Sequence, residues 1–567
     1  MKIILKKTLP IFAVSLVLFF QACDSNLEQN LLTKAKPDEC YNGMGESYIP
    51  IKEGKCAEGE RAKVNESYLW GLVQTSKYFW IGTVANIHCT IGGSGFKIPG
   101  LKDAKEFAPW VCEQKKSLYP DYLSNLTNNS NFLNLGEKGL GDFRVPSIYT
   151  YDKSTKQTKD ITPKDPNIFK TIGLRSAGVH NGVIFMAGPA MGEGKYSVAM
   201  YAFKDDADAT YLGSHIFTEY NNIRKWLVVN DVLYTTVGVN NPVIDGKEGS
   251  YNGRIIRWEG DVTNPFKFKE VGYIASNGAD LALHNNHMYI STWPSKDLTV
   301  KSIAGIYMSP DMPKEGLDTF TEWKEVWNVS MYEPDPVLAR TYGGGALASF
   351  DGYLYWGTLH VPDVDWRIAS KVYKIDINDT TALRDTMLKT HRGLTIFRAK
   401  AFDATSKVEL LYGEEKLNRY IPKQKKFVEV PNNMQEKPLW GHTGFGNWFN
   451  QYAWSMKVYK NQLYIGTMDW SYLEKFLNPE YFSYLESIGK EYEFGGDLWR
   501  IPAGTTTGAI AEDLTGQGNN ANCGIRTMLS DSQKLYLGTA NPMNLMMNKE
   551  NDKHLGGWEL IEMKSKK

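Results

Sequence analysis

A short β-strand pattern recurs seven times in this chain of 567 residues and constrains its fold more than any other feature. Each copy has a polar turn followed by an alternating run of the type Leu-Tyr-Ile-Gly-Thr. The copies are KYFWIGT (77–83), NGVIFMAG (181–188), NDVLYTT (230–236), NNHMYIST (285–292), DGYLYWGT (351–358), KNQLYIGT (460–467) and QKLYLGT (533–539). A unit of this size cannot bury its own faces and must pack against its neighbours. The repeat therefore predicts an all-β fold built from similar units.

A second hairpin follows the repeat in most copies. Examples are SIYTYDKSTKQTKDIT (147–162), SVAMYAFKDD (197–206), GRIIRWEGDV (253–262), AGIYMSPDM (304–312), SKVYKIDIND (370–379) and GGDLWRIPAG (495–504). Two hairpins per repeat make the four-stranded blade of a β-propeller, and we predict seven blades over residues 60–567. Eight blades remain an alternative, because the repeats near 80 and 185 and those near 355 and 464 are widely spaced. Residues 394–430 would then form the additional blade or an elongated outer hairpin.

The last repeat is followed by few residues, GGWELIEMKSKK (556–567). A complete last blade needs a fourth strand to cover its edge. We therefore expect a segment within residues 30–60 to supply that strand.

The first 22 residues have the pattern of an export signal. Lys2, Lys6 and Lys7 precede an apolar run from Ile11 to Phe20 that is too short to span a bilayer. The sequence Phe-Phe-Gln-Ala-Cys that ends at Cys23 resembles a bacterial lipobox, in which the cysteine is acylated. An ordinary secretory signal with a chance cysteine is the alternative.

With its lipobox and repeats, the chain resembles exported bacterial lipoproteins that carry a β-propeller domain. The resemblance implies a signal peptide at 1–22, and a lipidated Cys23 that begins a polar tether and lead-in over 23–59. It also implies a place in the bacterial cell envelope, anchored to a membrane and facing the periplasm or the exterior.

The cysteines fit an exported protein, in which disulfides form readily. Apart from Cys23, the chain has five cysteines: Cys40, Cys56, Cys89, Cys112 and Cys523. The nearest pairs in sequence predict one disulfide between Cys40 and Cys56 and another between Cys89 and Cys112. Cys523 is left unpaired.

Charge and motifs exclude several classes of function. The 64 basic residues balance the 64 acidic residues, and no basic stripe predicts nucleic-acid binding. The chain has no phosphate-binding loop, dinucleotide fingerprint, nucleophile elbow, zinc-protease helix or haem-attachment motif. We therefore predict no cofactor and no metal, and expect a glycan, a small anion or a protein as partner.

One position per blade is predicted to lie near the top of the central channel, on the first strand. Counting back ten residues from the aromatic residue of each repeat gives Trp70, Arg175, Arg224, Ala279, Gly345, Trp454 and Arg526. Arginine is rarely buried without a partner, and its guanidinium group binds carboxylate, sulfate or phosphate through paired hydrogen bonds. We predict that the three arginines bind an anion or a glycan and that the two tryptophans contact it. Alternatively, the arginines pair with carboxylates or loop carbonyls between blades.

Loops after the second strands are expected at the same end of the channel. Polar or aromatic candidates on these loops, and on the segment that enters the sixth repeat, are His88, Trp293, His360, Asp365, His442 and Asp469. Among these, we predict His360, His442 and Asp469 as ligand contacts. No fixed spacing among the histidines supports a metal site.

The sequence leaves two functions open. The first is a membrane-anchored binding protein that presents the channel mouth to a glycan, a small anion or a protein partner. The second is a hydrolase or lyase acting on an anionic or glycan substrate, with the arginines holding the anion. In that case Asp365, Asp469, His360 or His442 would transfer the proton.

Overall fold

The computed structural model describes residues 26–42, 51, 55–92, 109–112, 143–247, 249–294, 302–490, 492–548, 550 and 553–566. The signal segment and Cys23 lie outside these residues. Strands make up 46% of the described residues and helices are few, so the fold is all-β as the sequence predicted. Within the described part of the chain, no helix combines the length and apolarity needed to cross a bilayer.

Most strands belong to seven antiparallel units of four strands each, numbered here sheets 1 to 7 in chain order. Sheet 1 contains Glu66–Gln74, Tyr78–Ala85, Ile148–Asp152 and Thr158–Asp160; sheet 2 contains Ser176–His180, Val183–Gly192, Lys195–Lys204 and Tyr211–Phe217. Sheet 3 contains Tyr220–Val229, Val232–Val239, Gly253–Trp258 and Phe268–Ile274; sheet 4 contains Asn277–His284, His287–Trp293, Gly305–Met308 and Lys324–Asn328. Sheet 5 contains Gly343–Phe350, Tyr353–Leu359, Ile396–Ala399 and Glu409–Tyr412; sheet 6 contains Asn450–Tyr459, Gln462–Asp469, Leu498–Pro502 and Ile510–Asp513. Sheet 7 contains Gly524–Ser530, Lys534–Ala540, Glu559–Ser565 and Leu27–Lys34.

The fourth strand of sheet 7 comes from the beginning of the described chain. Leu27–Lys34 pairs antiparallel with Glu559–Ser565, and Leu27 lies opposite Ser565. The segment that we expected to be a tether therefore supplies the covering strand. This strand begins at Leu27, three residues before the range 30–60 in which we expected it. Its pairing hides the edge that sheet 7 would otherwise expose.

The first strands of the seven sheets contact one another in a cycle. Each contacts the first strand of the next sheet in chain order, and Gly524–Ser530 of sheet 7 contacts Glu66–Gln74 of sheet 1. The cycle is made by contacts between sheets. Among the described residues, no sheet closes on itself through hydrogen bonds. One end of the first strands therefore brings seven distant parts of the chain together.

The polar turns of the repeat connect the first and second strands of a sheet. Their residues adopt the left-handed conformation: Asn230 and Asp231 have φ of 50° and 59°, and Asp351 and Gly352 have φ of 50° and 74°. Two-residue hairpin turns require positive φ, which asparagine, aspartate and glycine tolerate best. This requirement explains why these residue types recur before the second strands of sheets 2 to 6.

The recurring glycine of the repeat lets neighbouring sheets approach closely. A Cβ atom at Gly466 in sheet 6 would lie 2.6 Å from Cβ of Ile525 in sheet 7. A Cβ atom at Gly357 in sheet 5 would overlap the side chain of Ala453 in sheet 6. The glycine in the repeat is thus a packing requirement between sheets as well as part of a strand.

Two segments differ from the sequence prediction. Two helices, α2 (Val364–Tyr373) and α3 (Thr380–Thr390), are inserted into sheet 5. Residues 370–379, which we expected to form a hairpin, therefore contain the end of α2. Here the Asp379 side chain accepts hydrogen bonds from the first turn of α3 and favours the helix. Residues 394–430 split between the last two strands of sheet 5 and a separate hairpin, Lys416–Ile421 with Lys426–Pro431.

The remaining elements are short. The first helix of the chain, α1, spans Ile87–Gly92; α4 (Ser471–Leu477) and α5 (Pro479–Ser487) are inserted into sheet 6. A small ladder joins Glu39–Tyr41 to Arg61–Lys63, and Thr321–Glu322 pairs in parallel with sheet 3. The 3-10 turns are Pro166–Lys170, Val329–Met331, Leu338–Arg340 and Thr443–Gly446.

Both predicted disulfides are confirmed. Cys40 is bonded to Cys56 and Cys89 to Cys112. Cys523 is a buried free thiol, as expected. The bond at Cys89 fixes α1 at the end of the second strand of sheet 1, directly beside His88.

Candidate functional site

The seven residues found by counting back along the chain occupy equivalent places in the structure. Six of them lie where the pairing of the first and second strands shifts by one residue: Trp70, Arg224, Ala279, Gly345, Trp454 and Arg526. The seventh, Arg175, directly precedes the first strand of sheet 2. A bulge leaves a residue outside the ladder and redirects its side chain. Six sheets thus carry a side chain at this point, whereas Gly345 of sheet 5 has none and a Cβ atom there would lie 2.7 Å from the carbonyl oxygen of Ala453.

Each of the three arginines lies over a tryptophan ring. The Arg175 guanidinium carbon is 5.7 Å from the ring centroid of Trp70, and that of Arg526 is 5.5 Å from Trp454. Arg224 lies 4.7 Å from the centroid of Trp293, at the end of the second strand of sheet 4. A cation–π contact stabilises the positive charge of the guanidinium group but provides no hydrogen-bond acceptor for its N–H groups. The guanidinium edges therefore still need acceptors.

Arg175 finds acceptors in sheet 3, whereas the other two arginines do not. Its Nε donates to the carbonyl of Ile223 at 2.8 Å, and its terminal nitrogen donates to Oδ1 of Asn222. Among the described residues, Arg224 and Arg526 make no hydrogen bond and no ion pair, and the Nε of each is fully buried. Arg526 is only 3% exposed. The expected alternative of pairing with carboxylates or carbonyls therefore holds for Arg175 alone.

The arginines disfavour one another electrostatically. Burial, followed by repulsion from Arg224 and Arg526, lowers the pKa of Arg175 well below its usual value. Burial, together with repulsion from Arg526, lowers the pKa of Arg224 to about 10. Burial lowers the pKa of Arg526 to about 10, and Asp280 and Tyr68 oppose this effect. At neutral pH all three remain cationic, at a cost that an anion between them would offset.

A tyrosine–histidine pair lies beside Arg526. The Tyr68 hydroxyl and Nε2 of His88 are 2.5 Å apart, and Tyr68 contacts the rings of Trp70 and Trp454 edge-on. Burial lowers the pKa of His88 to about 3, so the imidazole is neutral. Burial raises the pKa of Tyr68 well above its usual value, and nearby Arg526 opposes the rise. The neutral imidazole accepts a hydrogen bond from the phenol or donates one to it, according to its tautomer.

The three predicted loop contacts differ in burial and in their partners. Asp469 is buried and accepts from Ser471 and Asn447, and burial raises its pKa to about 7. His360 is also buried, with its ring 4.1 Å from that of Tyr342. The side chain of His442 is 81% exposed, and its Nδ1 lies 2.9 Å from Glu414. Within the described chain, neither Asp469 nor His442 makes a hydrogen bond or an ion pair with the arginines, and Nδ1 of His360 lies 3.9 Å from Asp365.

Counting one residue per sheet missed several charged and polar neighbours of the arginines. These are Tyr68, Lys225, Asp280 and Lys457. Lys225 follows Arg224 within the same bulge, where two neighbouring residues oppose a single partner and face the same side. The position of Lys225 directly after Arg224 in the sequence is the signal that could have identified it. Tyr68 stands two residues before Trp70, and its ring contacts that of Trp70 edge-on.

Comparison with known proteins shows low similarity throughout. No family model and no curated protein matches the chain. Among solved structures, phage phi92 endosialidase aligns with 96% of this chain and 69% of its own, at 6% identity and a TM-score of 0.36. Polysaccharide lyase Uly1 aligns over 95% and 99%, at 7% identity and a TM-score of 0.41. The β-propeller domain of the trilobed protease from Pyrococcus furiosus aligns over 66% and 76%, at 10% identity and a TM-score of 0.29. Similarity at this level says nothing of this chain's ligand, which depends on its own side chains.

Proposed function

We propose that the seven sheets are the blades of a seven-bladed β-propeller. Seven units of four strands and the cycle of contacts between their first strands support this arrangement. The split of residues 394–430 between sheet 5 and a separate hairpin favours seven blades over eight. A crystal structure with more or fewer than seven units around the axis would contradict it.

We propose that the channel mouth binds an acidic saccharide through Arg224 and Arg526. The observation that carries this proposal is that the Nε atoms of Arg224 and Arg526 are fully buried and that neither arginine has a hydrogen-bond acceptor among the described residues. Buried polar groups normally have partners, and a carboxylate or sulfate supplies acceptors in the geometry of the guanidinium edge. The half-buried rings of Trp293 and Trp454 favour a saccharide, since sugar C–H faces pack on aromatic rings.

Isothermal titration calorimetry with galacturonic acid and methyl galactoside tests this function. The protein is expected to bind the acid and not the neutral sugar, and Arg224→Met and Arg526→Met to remove binding. Arg398→Met is the matched control, because Arg398 lies in sheet 5 and is already paired with Glu409 at 2.6 Å. Equal affinity for both sugars, or full binding by the Arg526 variant, would contradict the proposal.

A second candidate function is proton transfer on the bound acid, favoured by the Tyr68–His88 contact beside Arg526. In a β-elimination, the pair would take the proton from the carbon next to the carboxylate. Those electrons would form the C=C bond while the C–O bond to the neighbouring sugar breaks, and the leaving oxygen would take a proton. An arginine on the carboxylate would stabilise the charge that develops.

Ultraviolet absorbance of an unsaturated uronate product separates catalysis from binding. With polygalacturonate and similar polymers, an enzyme would produce this absorbance, and Tyr68→Phe would abolish it while leaving the affinity for galacturonic acid largely unchanged. Binding without product formation from any acidic polymer would leave the binding function alone.

We further propose that the protein is exported and anchored to a bacterial envelope membrane through acylated Cys23. Two disulfides support export, because such bonds persist in oxidising compartments. Labelling with an alkyne palmitate analogue is expected to mark the full-length chain and to fail with Cys23→Ser. A soluble, unlabelled wild-type chain would contradict the anchor.

A further inference from the structure

Two lysines extend the cationic surface beyond the arginines. Lys225 follows Arg224 in the bulge of sheet 3, and Lys457 lies three residues after Trp454 on the first strand of sheet 6. Both are half-buried, and neither ammonium group makes a hydrogen bond or an ion pair with any described residue. Each is close enough to Asp280 to interact with it electrostatically. The two lysines therefore form a second group of cations without partners.

Within the described part of the chain, Asp280 is the carboxylate that acts on Arg224, Arg526 and both lysines. Its Oδ1 accepts from the amide of Leu281 at 2.9 Å, and its Oδ2 accepts from the amide of Leu347 at 3.2 Å. No cation among the described residues lies within ion-pair distance of it. Backbone amides thus hold this carboxylate in place, and one negative charge faces the four cations of the two groups.

Lys225 lies among other cations. Burial, followed by repulsion from Arg526, Lys457 and Arg224, lowers the pKa of Lys225 to about 8, and Asp280 opposes this effect. Grouped cations that are partly removed from water are unfavourable unless anions accompany them. A single carboxylate at the arginines would leave Asp280 as the counter-charge of the lysine pair, so a second anionic group on the ligand would add a favourable contact.

We propose that the natural ligand carries two anionic groups, one held by Arg224 and Arg526 and the other by Lys225 and Lys457. This inference rests on the proposed binding function and narrows its ligand class to acidic oligosaccharides with charges on neighbouring sugars. The planar guanidinium groups suit a carboxylate, whereas lysine ammonium groups donate hydrogen bonds to a carboxylate or to a sulfate ester equally well.

Calorimetric titration with three sugars tests the second anionic group. The probes are galacturonic acid with one carboxylate, digalacturonic acid with two, and a chondroitin disaccharide with one carboxylate and one sulfate. The wild-type protein is expected to bind at least one of the doubly charged sugars ten- to hundredfold more tightly than the singly charged one. Preference between the two disaccharides identifies the second group as carboxylate or sulfate.

A Lys225→Met and Lys457→Met double variant supplies the deciding comparison. It is expected to bind the preferred disaccharide no more tightly than galacturonic acid, with its affinity for the monosaccharide unchanged. Lys534→Met is the control, because Lys534 is paired with Glu562 at 2.7 Å in sheet 7. Lys225→Gln with Lys457→Gln repeats the test with polar replacements, should the methionine variant fold poorly.

Two results would overturn the inference, and they differ from failure of the function itself. Equal wild-type affinity for singly and doubly charged sugars would show that only one anionic group is recognised. Full discrimination by the lysine variants would place the second group elsewhere. If the wild-type protein bound none of the three probes, the proposed acidic-saccharide function would fail together with this inference.

Discussion

Replacing Arg526 by methionine is expected to stabilise the free protein while removing its ligand binding. Burial lowers the pKa of Arg526 to about 10, two or more pH units below an ordinary arginine. At about 1.4 kcal/mol per pH unit, the buried charge costs about 3 kcal/mol. The contact with Trp454 returns about 1–2 kcal/mol of this in a desolvated site. Arg526→Met should therefore raise the free energy of unfolding by about 1–2 kcal/mol.

The sign of this effect depends on pH in a defined way. Because the folded-state pKa of Arg526 lies below the unfolded-state value, the cost is full at every pH below about 10. It disappears only as the pH rises through that value, so guanidinium unfolding followed by circular dichroism at pH 7 measures all of it. The loss of a buried charge-assisted contact should cost about 2–5 kcal/mol of binding, or at least about thirtyfold in affinity.

Arg398→Met is expected to change stability in the opposite direction. Arg398 donates to Glu409 and to the Tyr355 hydroxyl, and its removal leaves both without their partner. An Arg526 variant that is destabilised by more than about 1 kcal/mol, or that binds galacturonic acid as tightly as the wild type, would refute the assignment of Arg526 to ligand binding. Arg526 would then be a structural residue.

Three further predictions concern charge, ion pairing and crosslinking. Because the folded-state pKa of Lys225 is about 8 and its unfolded-state value is higher, the free protein should gain stability as the pH rises above 8. Over the same range, titration calorimetry should show affinity for a doubly charged sugar falling by up to about tenfold per pH unit, and Lys225→Met should remove that fall. Glu333→Gln breaks a buried pair in which Arg392 Nε lies 2.6 Å from Glu333, and should cost about 3–5 kcal/mol in chemical denaturation. Loss of the Cys89–Cys112 bond, which links residues 23 apart, should cost about 3 kcal/mol and should weaken sugar binding, since Cys89 adjoins His88.

The sequence was sufficient for the repeating part of the fold, because hairpin turns and alternating strands depend on local chemistry. Each of the seven repeats is the second strand of a sheet, and the backward count reached equivalent residues. It failed at 370–379, where alternating apolar residues imitate a strand although helix α2 ends there. Local alternation cannot reveal an inserted helical pair that packs on a distant part of the chain.

The candidate site was predictable in its arginines and less so in its surroundings. Arg224 and Arg526 stand at the counted positions, but their lack of partners depends on side chains from other sheets. His442 was grouped with them because its loop enters sheet 6, yet its side chain faces solvent next to Glu414. Loop residues follow no fixed register, so their direction cannot be counted from the strands.

The bulges have a consequence for how such a protein can change its specificity. A residue outside the ladder contributes little to the pairing of its strand, and this one chain already places glycine, alanine, tryptophan and arginine at that point. Randomising these codons should therefore yield folded variants at most positions, except at Gly345, where a Cβ atom would lie 2.7 Å from the carbonyl oxygen of Ala453. Members of that library would share one scaffold and bind different ligands.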